Sequence, residues 1–245
     1  MPTVTSIKSI NMEKRTTIRR ATTEDILSLK KFFAEVYYPK HICTEEKHLL
    51  WHFGNPFCVG SLQQLSGIVA TDQGGALLGF LGAVPTELYI RKKKIFSVWL
   101  ANWITKKEAR GKGVGTGILK EMSRNRLLLA SSMSRMAFPL YQKRGFTVLG
   151  KYSRLIYIHN PEKILSVVRA VHSNEVARLL ESRQFATRNA VSNKSNNIEV
   201  EWNKKFNEKE WNNAWQEIRK RFSATTDRTS KYIHWRFLDH PYTKY

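Results

Sequence analysis

Apolar positions recur along the chain in two rhythms. Ile26, Leu29, Phe32, Phe33 and Val36 fall at three- and four-residue steps, which predicts an amphipathic helix over these residues. The preceding Thr22-Thr23-Glu24-Asp25 supplies hydroxyl caps and first-turn acids. A short β-prone run at 17–21, with Ile18 as its apolar member, predicts a first strand, and a second helix is expected over 44–53. Three strand-like runs follow: 67–71, then 76–88 after a Gly74-Gly75 turn, then 96–105 after the basic turn Arg91-Lys92-Lys93-Lys94. A glycine-rich junction leads into a helix-like run, 118–129, whose end overlaps a short apolar strand at 127–130.

The junction Arg110-Gly111-Lys112-Gly113-Val114-Gly115-Thr116 joins a strand to a helix, the setting in which backbone N–H groups and a helix N-terminus grip a phosphate. Spacing separates the kinds of phosphate loop. The Gly111-Lys112 pair is followed by Gly113 and has no glycine five residues ahead, so the triphosphate loop is excluded. Glycines at 111, 113, 115 and 117 never satisfy the i, i+2, i+5 pattern of a dinucleotide site. What remains is [RQ]-x-x-G-x-[GA], met by Arg110, Gly113 and Gly115. It is joined further on by Tyr141-Gln142-Lys143-Arg144-Gly145-Phe146, a Y-x-K-x-G-F-like segment. Together, and in this order, the two motifs resemble the GNAT (GCN5-related N-acetyltransferase) superfamily, over about residues 17–159.

The resemblance implies an α/β GNAT fold: a mixed, mostly antiparallel central sheet flanked by helices. It implies acetyl-CoA as the acyl donor, held at Arg110, Gly111, Lys112, Gly113, Val114, Gly115 and Thr116, and direct attack by a primary amine. The thioester carbonyl would be polarised by backbone N–H near the end of the fourth strand, at Trp103, Ile104 and Thr105. Tyr141 stands where the family often keeps the acid that protonates the departing thiolate; the alternative is a ring packed against Phe146. The family often places a glutamate base on the fourth strand, but 96–105 holds no acid. Glu108, Glu87 and a water chain remain open as the base. No metal is required: His41, Cys43, His48, His52 and Cys58 have poor ligand spacing, and Leu49-Leu50 stands where H-E-x-x-H needs its acid.

Beyond residue 160 the pattern changes to two short helical stretches, 161–171 and 174–182, and then an asparagine-rich linker at 189–197. After it the opening of the chain recurs. A strand-like run, 198–202, precedes a helical run, 207–222, and Lys231-Tyr232-Ile233-His234-Trp235-Arg236-Phe237 echoes Lys47-His48-Leu49-Leu50-Trp51-His52-Phe53. The following proline, Pro241, comes one residue later than Pro56 does in the first copy. The expected organisation is a loose leader at 1–16, an acyltransferase domain at 17–159, a helical connector at 160–197 and a partial second GNAT-like module at 198–245. A shortened form of a longer tandem protein is the expectation for that last part. Its Trp202, Trp211, Trp215 and Trp235 would pack on the first domain or form a self-association surface.

Composition narrows the partners. Hydrophobic residues make up 42% of the 245, enough for a core, and the longest uncharged apolar stretch, 76–85, is too short to span a membrane. Two cysteines build no disulfide framework, so a reducing, cytoplasmic setting is expected. A net charge of +21 attracts polyanions whatever the fold, and CoA would use only part of it. The basic residues are scattered, so specific nucleic-acid binding is not the leading reading, although the charge leaves it open. The acceptor expected is a small amine, with amino sugars favoured by the likeness to tandem-module acyltransferases. The rival readings are a non-catalytic module that binds CoA or another anion, and a basic nucleic-acid-binding protein.

Overall fold

The computed structural model describes residues 16–54, 64–91, 93–124, 126–131, 133–135, 137–150 and 206–242. They fall into two units, one made of the residues up to 137 and from 207 onward, the other within 138–206. The expected leader, Cys58, both connector helices, the linker and the strand at 198–202 lie outside the described residues.

The first unit is a sheet with helices on both faces. Its strands are β1 (Thr17–Thr22), β2 (Gln64–Thr71), β3 (Leu77–Ile90), β4 (Lys93–Thr105), β5 (Leu127–Leu129) and β6 (Ala224–Thr226). Their order is β1-β2-β3-β4-β5, with β6 paired to β3 beyond the reach of β2. Every ladder is antiparallel except β4 with β5. This is the mostly antiparallel α/β sheet that the resemblance implies.

Helix α1 (Ile26–Val36) starts where Asp25 accepts the Thr22 N–H at 2.8 Å and holds Arg19 at 2.7 Å through both carboxylate oxygens. Burial of Asp25 works against its charge, but the Arg19 and Thr22 hydrogen bonds outweigh this and hold the carboxyl below its ordinary range. A 3-10 turn at Ile42–Thr44 leads into α2 (Glu46–Phe53), so the second helix begins two residues later than the pattern suggests. Leu29, Phe32 and Phe33 of α1 and Leu49 and Phe53 of α2 join Val69 and Phe80 in one buried cluster. The Phe80 ring meets both Phe33 and Phe53 edge to face, at 5.5 and 5.2 Å.

Successive strand residues face opposite ways, so Gly79 looks to the other side. There it lies under Val114 and Ile118 of α3 (Val114–Met122), and Gly117 admits Ile18 of β1. The predicted helix over 118–129 is therefore corrected at both ends. It starts at Val114, because Gly113 in the left-handed region caps it, and stops at Met122, because Leu127–Leu129 extend along the free edge of β4. A run of three leucines suits either period, and only the vacant strand edge decides between them.

The C-terminal segment repeats the helical layer. Helix α5 (Glu208–Ile218) matches α1 at 11 residues, and α6 (Ser230–Ile233) continues into a π-helix at His234–Leu238. The extra residue that the second copy carries before its proline is absorbed in that π turn, closed by the Asp239 N–H on the His234 carbonyl at 2.8 Å. Matching positions make matching contacts. Lys30 pairs with Glu46 at 3.7 Å, while Asn212 and Ser230, at the same places in α5 and α6, exchange hydrogen bonds at 2.8 and 2.9 Å.

The two copies meet through their tryptophans. Trp51 and Trp235, 184 residues apart, each donate the indole N–H to the other's backbone carbonyl at 2.8 Å, and their rings stack at 5.4 Å. The second unit contributes most of α4 (Ala137–Lys143), in which Tyr141 is buried. No helix among the described residues is long and apolar enough to cross a membrane.

Candidate functional site

At the C-terminal end of β4 the chain makes a 3-10 turn, Lys107–Ala109, and then the glycine loop. Gly111 and Gly113 have φ of 76° and 80°, and a Cβ at either would meet nothing within 4 Å. These glycines are there for their backbone conformation and leave the outer face of the loop open. Gly115 is there for close approach: a Cβ would come within 3.2 Å of Thr105 Oγ1 and 3.5 Å of Trp103 Nε1. Two bonds tie the loop back to the strand, from Trp103 Nε1 to the Gly115 carbonyl at 3.3 Å and from Arg110 Nε to the Thr105 carbonyl at 3.2 Å.

The residues predicted to cradle a phosphate thus fall into two groups. Arg110, Gly111, Lys112 and Gly113 form an exposed turn, whereas Val114, Gly115 and Thr116 are the first turn of α3, where a helix presents backbone N–H groups and partial positive charge. The Val114 side chain is 5% exposed and belongs to the core, so only its backbone could face an anion. Trp103, Ile104 and Thr105 are half-buried on β4 beside the loop.

Two irregularities of β4 shape this end of the sheet. Its register against β3 shifts between Ile104, opposite Phe80, and Ala101, opposite Gly82, and Asn102 within the shift has φ of 53°. This is a β-bulge. On the other edge, β5 pairs only with Ser97, Val98 and Trp99, and among the described residues no strand continues that ladder toward Thr105. Among the described residues the β4–β5 ladder thus ends at Trp99, and β4 runs on from there to the glycine loop.

On the α1 side lies a cleft of about 280 Å³ lined by Glu35, Val36, Thr105, Lys106, Lys107, Glu108 and Arg110. Lys106 Nζ lies 2.5 Å from Glu35 Oε2 across it. Of the two carboxylates considered as bases, Glu108 lines this cleft. Glu87 sits far down the β3–β4 arm, opposite Phe96, where it pairs with Lys94 at 2.5 Å.

The loop between α1 and α2 brings up groups that sequence reasoning did not join to the site. Asn102 Nδ2 donates to Cys43 Sγ at 3.2 Å, and the Cys43 N–H donates to His41 Nδ1 at 3.2 Å. His41 in turn stacks on Tyr37 at 4.1 Å. Burial raises the Cys43 thiol to about 11 and the Tyr37 phenol to about 12. One signal was available: an asparagine inside a strand-like run, since Asn tolerates φ above zero better than most residues. Glu35 carried none, standing among the polar positions of an amphipathic helix.

His48 and His52 stand 5.4 Å apart on α2, beside the tryptophan seam rather than the cleft. Among the described residues no three His, Cys, Asp or Glu side chains are placed to share a metal ion. In the second unit, the Tyr141 ring packs edge to face on Phe146 at 4.8 Å, and burial raises its phenol to about 12.

No family model matches the chain, and no curated protein matches it. Solved structures do align with it. An acetyltransferase from Trypanosoma brucei is 14% identical and covers 58% of this chain and 99% of its own, with a TM-score of 0.44. A predicted acetyltransferase with acetyl-CoA from Clostridium acetobutylicum is 19% identical over 60% and 100%, with a TM-score of 0.44. An aminoglycoside acetyltransferase from an uncultured soil metagenomic sample is 15% identical over 58% and 98%, with a TM-score of 0.42. The chain itself is a mostly antiparallel α/β sheet in which the β4–β5 ladder ends at Trp99 and a glycine loop opens α3.

Proposed function

We propose that the protein is an acetyl-CoA-dependent N-acyltransferase acting on a small primary amine, with an amino sugar as the first acceptor to try. The observation that carries this reading is the end of β4 beyond its ladder with β5, which leads straight into the Arg110–Thr116 turn and the start of α3. An extended thioester arm would lie along that end of the strand through backbone hydrogen bonds. Its pyrophosphate would meet the turn and the helix N-terminus, with Arg110 and Lys112 as flanking cations.

In this reading the backbone N–H groups at Trp103, Ile104 and Thr105 are the candidates to polarise the thioester carbonyl, an oxyanion effect that needs only preorganised donors. The amine enters from the cleft beside Glu35 and Glu108 and attacks the carbonyl carbon. The tetrahedral intermediate then collapses, breaking the carbon–sulfur bond to leave an amide and a thiolate. Glu108 is the better placed of the two carboxylate candidates to take the proton that the amine releases.

Tyr141 is proposed as the group that returns a proton to the thiolate. Its raised phenol is protonated throughout the neutral range, so the proton is present but is given up reluctantly. A Tyr141→Phe variant should lose most turnover while its melting temperature holds. Retained turnover would leave only the packing role against Phe146.

Residues 198–245 are proposed as the opening of a second GNAT-like module, supported by the equal length of α1 and α5 and by the echo of 47–53 in 231–237. The absence of a cysteine framework suits a reducing, cytoplasmic setting. The test of the whole reading is thermal shift with acetyl-CoA, followed by thiol release against a panel of amines that includes glucosamine. A rise in melting temperature with acetyl-CoA and thiol release with one amine support an enzyme. Binding without turnover points to a CoA-binding module, and no shift at all overturns the reading.

A further inference from the structure

Ile18 of β1 lies against Gly117 of α3, so Arg20, two residues further along the strand, faces the same side of the sheet. Past the C-terminal end of α3 that side holds a cavity of about 40 Å³, lined by Arg20, Gln64, Ser66, Pro85, Phe96 and Arg126 among others. A single water needs roughly 10–15 Å³, so the space suits several waters or one tetrahedral oxyanion. Helix α3 has nine residues, about 13 Å at 1.5 Å per residue, and the cavity stands at the opposite end of it from the glycine loop.

Two guanidinium groups face this space. Arg126 follows α3, is half-buried, and donates from Nη1 to Met122 Sδ at 3.3 Å. Burial first, and then the charge of Arg20, pull it below its ordinary range, while the Glu121 charge works the other way. Among the described residues no carboxylate forms an ion pair with either arginine. Asp25 holds Arg19 at 2.7 Å, and Glu121 pairs with Arg124 at 3.1 Å.

Like charges that share a partly desolvated space repel, and a ligand that cancels both removes the cost. A phosphoryl group carries about −1.5 to −2 charge at pH 7 and three strong acceptor oxygens, which match two guanidinium forks. A carboxylate, with one charge, would leave half of the repulsion in place. Gln64 and Ser66 add neutral hydrogen-bonding groups, and Pro85 with the exposed Phe96 ring supplies apolar surface for an organic substituent.

We propose that the Arg20–Arg126 cavity binds the phosphoryl group of a phosphate monoester. The site is separate from the glycine loop, and the inference stands independently of the acyltransferase reading.

The test is thermal shift of the full chain with inorganic phosphate and with phenyl phosphate, each against sodium chloride at equal ionic strength. Both anions should raise the wild-type melting temperature above the chloride control, and phenyl phosphate should bind about threefold or more tightly than phosphate. Arg20→Gln and Arg126→Gln should each weaken binding by about tenfold, and Arg110→Gln on the glycine loop should retain most of the rise. In chloride alone Arg126→Gln should melt no lower than wild type, because the repulsion is gone.

A wild type that responds to neither anion overturns the proposal. So does a full response in both Arg20→Gln and Arg126→Gln, or a response lost in Arg110→Gln, which would assign the anion to the glycine loop. Phosphate binding without phenyl phosphate binding would replace the monoester with the free ion. Should Arg126→Gln fail to fold, Arg20→Gln, at an exposed position, carries the same decision.

Discussion

Glycines at the site and beneath it do different work, and two substitutions separate them. A Cβ on Gly82 would lie 2.2 Å from the Phe53 ring, which is itself wedged against Phe80. Gly82→Ala should therefore destabilise the protein by about 1–3 kcal/mol through overpacking, read as a lower urea midpoint with an unchanged slope. Gly113 meets nothing within 4 Å, and its only constraint is φ 80°. Gly113→Ala should cost about 1 kcal/mol of stability, while the melting-temperature rise given by acetyl-CoA should shrink by much more than that of Gly82→Ala.

At the scale of elements, the seam between α2 and the π-helix carries the firmest pH prediction. His48 and His52 bury unpartnered Nδ1 atoms there, and the groups facing them are His41, His240 and Arg236, all cationic when charged. Desolvation first, and then these neighbours, lower His48 to about 4 and His52 to about 3. Both folded values lie below the unfolded value, so the fold favours the neutral imidazoles and the unfolded chain binds more protons. Stability is complete above pH 6.5 and falls as acid is added, at up to about 1.4 kcal/mol per pH unit for each histidine. Urea midpoints across this range should show the slope, and His52→Gln should flatten it. Trp235→Ala, which removes the stack on Trp51 and a reciprocal hydrogen bond, should cost about 3–5 kcal/mol. A loss below 1 kcal/mol would show that the second copy adds little to the first.

The first strands, α1 and the β3–β4 hairpin were legible because each depends on neighbours in sequence: periodicity, hydroxyl caps and glycine turns. The glycine loop was legible for the same reason. Less legible was the boundary of α3, where leucines 127–129 fit a helix and a strand alike until the edge of β4 received them. The Asn102–Cys43 hydrogen bond, the Glu35–Lys106 pair and the Trp51–Trp235 exchange join residues far apart in the chain, and no local pattern announces them.

Across the whole molecule, a net charge of +21 bears on how the proposed donor would arrive. CoA is a polyanion, so its dissociation constant should rise several-fold from low to high salt, with most of the change in the association rate, as long-range steering predicts. A constant that ignores salt would assign CoA binding to the loop alone and leave the surface charge to another partner.

The repeat is also a whole-molecule property. Two copies of one helical pair meet through a two-way bond, Trp51 to Trp235 and Trp235 to Trp51, as two subunits do across a two-fold axis. The residues alone determined that the helical pair recurs, that a glycine turn precedes α3 and that the fourth strand carries no acid, because composition and spacing are written along one dimension. Only the tertiary structure decided that the two copies face each other, that β5 parts from β4 after Trp99 and that an asparagine bends the strand toward a buried thiol. Those outcomes depend on which distant surfaces bury one another and which edges remain unpaired, and burial and pairing exist only once the chain has closed on itself.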